Sequence, residues 1–557
     1  MKEKKYLIYG VCLVLILLVG LTYAYFAIII QGDKKKVTVN TTDLRIIFNN
    51  GDDIEGINIE PGWSITKTFS VENKTGNEYK YNLVFKDLIN TFVTKGYLVY
   101  KITSTNNGYN MSDYKDIPKS NTLKNKVIEY SVPISSNTKQ EYTIEIKYIS
   151  DDNVDQGDDM GKELSAYLYI EEGTENMYAG YEEGTLGYQI MKDNPTRKTR
   201  SNNNNGTNDF ATPFNETTSG TLFTSTESIA GITSTPQEVY YYAGNTTNNW
   251  VKFGKYENDW YYCNKGGRNI THSTSQLEGY DCEKIASKND DIYWRIIRTN
   301  HDESVRLLYS GTSTDTTIGY IGTNYYNVND GSPEKFGYKY GSSDDKLDDI
   351  RMNTTDSVIK TTIDSWYQNN LTNYKKYLST CAVYCNDRNL GNEQTYNNLD
   401  SDFNFVAYDR LDEENNGVSA TPTYNCSDIR DGFSVENTNA KLDYPIALMT
   451  ADEIAFAGGV VFQKMSTPYA WFTSNSVGTS ITGDFSNLWW TLTPLNFKDN
   501  YISMYTWRPS DAEIYYNWIN SKLKIRPAIS LKSCTLYGTG NGTAENPYTI
   551  LETESGC

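Results

Sequence analysis

The chain has 557 residues, with 51 Lys and Arg against 70 Asp and Glu. That length asks for two or three domains. A net charge of −19 excludes a nucleic-acid binder, which needs a basic footprint to displace counterions from phosphates. Only two histidines, His272 and His301, are present, and neither lies beside a paired-cysteine motif, which argues against a zinc centre.

The first segment, 1–36, contains the run Leu7 to Ile30, 24 positions without a charge. About 20 apolar residues cross a bilayer, so the expectation is a short cytoplasmic tail and a single transmembrane helix. A secretory signal has a shorter apolar core and a small-x-small cleavage site. Thr22-Tyr23-Ala24 offers such a site, so removal after Ala24 is the alternative. Lysines flank the run on both sides, so the positive-inside rule assigns no orientation. Charge balance decides instead. The first 36 residues carry six Lys against Glu3 and Asp33, so the remaining 521 carry −23. The expected placement is a single-pass protein of the cell membrane with its bulk outside.

Residues 37–171 hold seven short alternating runs, among them SITKTFSVEN, YKYNLVFKDL and QEYTIEIKYIS, separated by turn signals such as NKTGNE. Period-2 alternation puts one face inward and one in water, and this density of strands predicts an all-β antiparallel sandwich. Within it, Asp151, Asn153 and Asp155 alternate as oxygen ligands of Ca²⁺ do. An EF-hand loop wants Gly at its sixth place and Glu at its twelfth. Here Gly157 is seventh and Lys162 twelfth. A solvated acidic turn is the preferred reading, with calcium as the alternative and no other cofactor expected.

Residues 172–236 lose the alternation and turn polar, with TRKTRSNNNNGTNDFATPFNETTSG at their centre. Too little apolar surface remains to bury, which predicts a linker. Residues 237–557 then mix strand-like runs (NWVKFGKY, IYWRIIRTN, SVRLLYSG) with helical ones. The segment 361–379 places Ile363, Trp366, Tyr367, Leu371, Tyr374 and Leu378 on one helical face. Thr450 with Glu453 three residues on reads as a capping box, and Gly458-Gly459 as the helix stop. The class is α+β.

Seven of the eight cysteines lie in this last segment, the eighth being Cys12. Their spacing beside an export-type N-terminus reads as disulfides: Cys263–Cys282, Cys385–Cys426 and Cys534–Cys557, with Cys381 the odd one. The CxxxC of Cys381 and Cys385 also admits a redox or metal pair. Asp452 and Glu453 are adjacent, but neighbouring helix positions point about 100° apart, too divergent to flank one glycosidic bond. No GxSxG elbow surrounds a serine.

Aromatics remain. Nine of the ten Trp fall after residue 236. In the last 70 residues Trp489, Trp490, Trp507, Arg508, Tyr515 and Trp518 form the candidate ligand surface, because rigid rings supply contact area at low entropy cost. Core packing is the competing reading for each ring.

Two resemblances follow from these residues. LTYAYF, TTDLRIIF, EPGWSITKTFSVEN and DDNVDQGDDMGK resemble the TasA/camelysin-like secreted β-sandwich modules of Gram-positive bacteria, a family that includes matrix-fibre subunits. No HExxH is present, so no protease activity is carried over. NNWVKFGKY, IYWRIIRTNHDESVRLLYSG, LMTADEIAFAGG, WWTLTP and KIRPAISL look like a recurrent domain of Firmicutes surface proteins, similar to the sulfatase-modifying, C-type-lectin-like fold. The resemblance implies a binding surface. It does not imply formylglycine-generating chemistry, whose paired copper cysteines have no convincing counterpart here. The expected architecture is thus multidomain: a transmembrane helix, an all-β antiparallel sandwich, then an α+β C-type-lectin-like domain. The expected function is non-enzymatic adhesion, a lectin-like head on a sandwich stalk meeting a glycan or protein ligand. The alternative is a matrix or fibre subunit that self-associates through the sandwich. A copper oxidase using Cys381 and Cys385 is a third reading.

Overall fold

The computed structural model describes residues 27–556 apart from 32–36, 42–43, 50–53, 58, 95, 107, 112, 152–155, 174–180, 204–206, 234, 266–267, 273–280, 317, 329–330, 342–345, 393–401, 466–487 and 554–555. The chain divides into two compact units, residues 1–180 and 181–557. Most of the apolar N-terminal run lies outside the described residues. Among those described, no helix is long and apolar enough to cross a membrane.

The first unit is built from two sheets. One runs β4 (Ile54–Ile57), β1 (Ala27–Gln31), β11 (Glu163–Glu172), β6 (Tyr79–Asn90) and β9 (Ser120–Ile134). The other runs β2 (Val37–Thr41), β3 (Leu44–Asn49), β5 (Ser64–Asn73), β10 (Lys139–Tyr148), β7 (Leu98–Ser104) and β8 (Lys115–Asp116). In β10 the residues Gln140, Tyr142, Ile144, Ile146 and Tyr148 are buried, and those between them are not. β11 buries Leu164, Ala166, Leu168 and Ile170 in the same way. Both inward faces enter one cluster, which is the sandwich the alternation predicts. Phe69 stacks on Tyr142 at 5.0 Å, and the Tyr81 and Tyr142 hydroxyls bond at 3.0 Å, so the core rings keep their polar ends satisfied.

Two boundaries differ from the sequence reading. Ala27–Ile30, read as the end of the apolar helix, instead belong to β1. That strand pairs parallel with β11 and antiparallel with β4. A run of β-branched isoleucines suits a paired strand as well as a helix, and tertiary pairing decides. The second difference is the polar stretch 172–236. Its start completes β11, and from Tyr181 onward it belongs to the second unit. Helix α1 (Leu186–Asp193) buries Leu186, Ile190 and Met191. Strands β12 (Thr196–Thr199) and β13 (Thr221–Glu227) join that unit's large sheet. A few apolar residues, Phe210 and Phe223 among them, enter a core cluster with Val239, Tyr241 and Phe456. Asn and Thr side chains satisfy the surrounding backbone, as when Asn208 reaches the carbonyls of Val418 and Ala420.

The large sheet continues through β14 (Gln237–Tyr241), β16 (Asp291–Thr299), β17 (Val305–Tyr309), β24 (Pro527–Leu531) and β19 (Ile446–Leu448), with β15 (Trp250–Lys255) also on β16. A second sheet contains β23 (Leu523–Lys524), β20 (Trp489–Lys498), β21 (Tyr501–Arg508) and β22 (Glu513–Trp518), with β18 (Phe403–Asn404) beside β20. Helix α2 spans Val358–Asn370 and buries Ile363, Trp366 and Tyr367. It stops earlier than the periodicity suggests, because the Asn369 and Asn370 side chains bond back to carbonyls four residues earlier and the chain tightens into a 3₁₀ turn at Thr372–Tyr377. Helix α3 is Val406–Arg410. Helix α4, Ala451–Ala457, has the capping box of Thr450 and Glu453, and Gly458 stops it in left-handed backbone at φ 118°.

Candidate functional site

The six candidate ligand residues separate by burial. Trp489, Trp490 and Trp507 are fully buried. Trp489 and Trp507 face each other across β20 and β21, Arg526 lies over the Trp489 ring, and the Trp490 indole donates to the Asn324 carbonyl at 3.0 Å. These three rings are core, which corrects their assignment to a ligand surface. β20 is an interior strand covered on both faces, and such strands read as continuous apolar runs. Arg508 and Tyr515 are half-buried and occupied with each other, the guanidinium lying 3.2 Å from the ring centroid. Arg508 also pairs with Glu513 at 2.7 Å. They do not reach outward either.

Trp518 differs. It is 50 % exposed, and Tyr501, 42 % exposed, stacks on it at 4.9 Å with ring planes 26° apart. A tight hairpin positions the pair. Lys498 and Tyr501 are the closing partners, and the two residues between, Asp499 and Asn500, adopt φ 51° and 63°. Two consecutive left-handed residues suit the strand twist, and Asp and Asn accept that conformation best after glycine. The stacked rings border an open groove of about 570 Å³. Phe403, Asn404, Tyr408, Asn496, Phe497, Ser503 and Tyr516 line it, with Asp402, Glu413, Lys498 and Asp499 as its charged groups. The Asp499 amide donates to Asp402 at 3.0 Å, which ties the hairpin to the chain entering β18.

Glu413 begins a single 3₁₀ turn, Glu413–Asn415, held between Asp412 and Asn416, both in left-handed backbone. Burial pushes its pKa up to about 7, which the nearby Tyr505 hydroxyl offsets only in part. Its Oε2 atom is buried with no hydrogen-bond partner among the described residues. A carboxyl poised near neutrality on a ring-lined groove is a functional signal. Sequence reasoning missed it, because Glu413 sits in an ordinary acidic stretch, LDEEN.

The other charged clusters are internal. Arg298 holds Glu227 and Glu453, each at 2.8 Å, and Arg306 holds Glu453 at 2.7 Å. Burial works to raise Glu227, but Arg298 and His301 outweigh it and hold its carboxyl well below the usual range. Beside them Arg410 joins Asp387 at 2.6 Å to Asp452 at 2.8 Å. The cavity between these networks is about 20 Å³, room for a water at most. Asp452 and Glu453 thus serve different ion pairs. Asp356, Asp364 and Asp443 converge closely enough to hold a metal, but the buried Lys360 ammonium already sits among them at 3.1, 2.6 and 2.6 Å.

Two disulfides stand where spacing placed them, Cys263–Cys282 and Cys385–Cys426. With Cys385 committed, the CxxxC is no copper pair. Cys381 is exposed and outside both bridges. Cys534 is disulfide-bonded, and Cys557, its expected partner, lies outside the described residues. Of the calcium candidates, Asp151 accepts from the Tyr97 hydroxyl at 2.9 Å, while Asn153 and Asp155 lie outside the described residues. In the same loop Asp159 is buried and caps the Thr94 amide at 3.1 Å and the Tyr148 hydroxyl at 3.1 Å.

No family model matches the chain, and no curated protein matches it. Among solved structures, similarity is found to AvmM, which catalyses macrocyclization in alchivemycin A biosynthesis. Identity is 10 %, 26 % of this chain and 97 % of that chain are covered, and the TM-score is 0.12. A Paenibacillus xanthan lyase matches at 9 % identity over 46 % of this chain and 23 % of its own, TM-score 0.14. A family 123 glycoside hydrolase from Clostridium perfringens matches at 8 % identity over 39 % and 46 %, TM-score 0.09. Superpositions this poor carry no argument about fold or activity.

Proposed function

We propose that this is a cell-surface binding protein whose second unit engages a glycan at the Trp518 groove. The observation that carries the reading is the exposed Tyr501–Trp518 stack on the rim of an open groove. A broad aromatic face packs against the C–H face of a sugar ring, and neighbouring Asp, Asn and Ser side chains meet its hydroxyls. Disulfides in the same unit suit an oxidising exterior, and the acidic bulk of the chain suits a protein held off anionic lipid. The apolar N-terminal run supplies the membrane attachment in this reading. The resemblance to lectin-like heads and TasA/camelysin-like modules agrees with it. A glycan array probed with the full chain and with Trp518→Ala tests it. Signal on some glycans that disappears in Trp518→Ala is expected, and equal signal from both proteins refutes the groove.

A second reading, a fibre subunit, is favoured by one observation: N-terminal β1 slots parallel to β11 and antiparallel to β4, between the two. A terminal strand in that position can be supplied in trans by a neighbouring copy. Light scattering across a concentration series would show growing assemblies, which a chain lacking residues 1–31 would not form.

A further inference from the structure

The groove carries a chemical bias beyond its rings. Among the described residues, three carboxylates, Asp402, Glu413 and Asp499, face it against the single cation Lys498. Under its floor, Glu413 Oε2 is buried without a partner among the described residues. Glu413 itself lines the groove, and its carboxyl is a strong acceptor there for a ligand hydroxyl. An acidic ligand would meet repulsion from Asp402 and Asp499, and from Glu413 wherever it is ionised.

We infer that the groove selects a hydroxyl-rich saccharide without acidic groups, one ring seated on the Tyr501–Trp518 face and one hydroxyl donating to the Glu413 carboxylate. This rests on the glycan reading above and names its ligand class. It also links binding to a proton. The groups around Glu413 are Tyr505 on β21, Tyr408 on α3, Tyr516 on β22, Asp412 and Glu414 on its own turn, and the Arg410–Asp452 pair behind Tyr505. The three phenols are all raised by burial, with nearby carboxylates adding to the rise, so none of them ionises near neutrality. Free Glu413 holds its proton up to about pH 7. A hydroxyl bonds the ionised carboxylate more strongly than the protonated one, so binding favours the ionised form and releases that proton. Affinity then rises with pH up to about 7 and levels off above it.

The test is calorimetric titration of the full chain with cellohexaose and N-acetylchitohexaose as neutral probes, hexagalacturonate as the acidic probe and hexalysine as a cationic peptide. A neutral hexasaccharide should bind about tenfold more tightly at pH 8 than at pH 5, and two buffers of different ionisation enthalpy should report proton release at pH 6. Hexagalacturonate should bind at least about tenfold more weakly. Glu413→Gln, which keeps the shape of the side chain without its titration, should bind with no pH dependence, and near-ultraviolet circular dichroism confirms its fold. Loss of binding in Trp518→Ala locates the ligand in the groove. If Trp518→Ala loses binding but hexagalacturonate binds as well as the neutral sugars, or Glu413→Gln keeps the pH profile, this inference falls and the glycan reading stands. If only hexalysine binds, if nothing binds, or if Trp518→Ala binds normally, both fall.

Discussion

Both units have apolar cores, and they differ in what else they bury. The sandwich buries alternating apolar side chains of β5–β7 and β9–β11 in one cluster. The second unit buries charge: Arg298, Arg306, Glu227 and Glu453 are all at or below 3 % side-chain exposure. Apolar burial is non-directional and tolerant of detail. A buried ion pair is neither, since removing one partner strands the other. The contrast teaches that the second unit adds a few irreplaceable buried partners to an apolar core of its own, while the sandwich rests on apolar side chains spread over both sheets.

The largest expected effect breaks that contrast open. Glu453→Ala takes the carboxylate from the buried Arg306, leaves Arg298 with Glu227 alone and removes a helix cap, and should cost the second unit about 3–5 kcal/mol. Differential scanning calorimetry should show that unit's transition falling while the sandwich transition stays. Cys385→Ser in Cys426→Ser background opens a 41-residue separation and should cost about 2–4 kcal/mol, read by denaturant titration. In the sandwich, Ile144→Val should cost only about 1 kcal/mol.

Acidity sharpens the comparison further. Glu227 and Glu453 are depressed, burial being outweighed by their arginines. Their stabilisation is present above the unfolded carboxylate range near pH 4 and is lost as pH falls below it. Glu413 is raised, so its contribution has the opposite sign: fully present below about pH 4 and lost as pH climbs through about 7. Unfolding of the second unit followed from pH 4 to pH 8 should show a decline that Glu413→Gln reduces. The smallest effect is Trp518→Ala, which should change stability by no more than about 0.5 kcal/mol, because half of the ring is already in water. A large loss of stability there would make Trp518 a core residue and remove it from the groove.

Some of this was legible beforehand. Alternation in QEYTIEIKYIS gave β10 because each side chain reports its own face. Thr450 and Glu453 gave the start of α4 because a cap is local chemistry. Cysteine spacing gave two bridges. Trp489, Trp490 and Trp507 were misplaced, because a tryptophan reads alike whether its strand is interior or at an edge. The stretch 181–236 looked like a linker, because a sheet supplied by distant segments can recruit a polar strand that has only a few apolar anchors. Glu413 carried no signal, since its poise comes from burial by segments far from it along the chain.

What the sequence by itself determined is everything carried by neighbours along the chain: acidity outside the N-terminal run, strand period, helix caps and turn residues. Tertiary structure alone decided which rings are core and which face water. It also decided that Ala27–Ile30 form a strand, and that one glutamate among 70 acidic residues lies under a groove. The physical reason is that burial and partnership are properties of segments brought together from far apart, and no local pattern of residues records them.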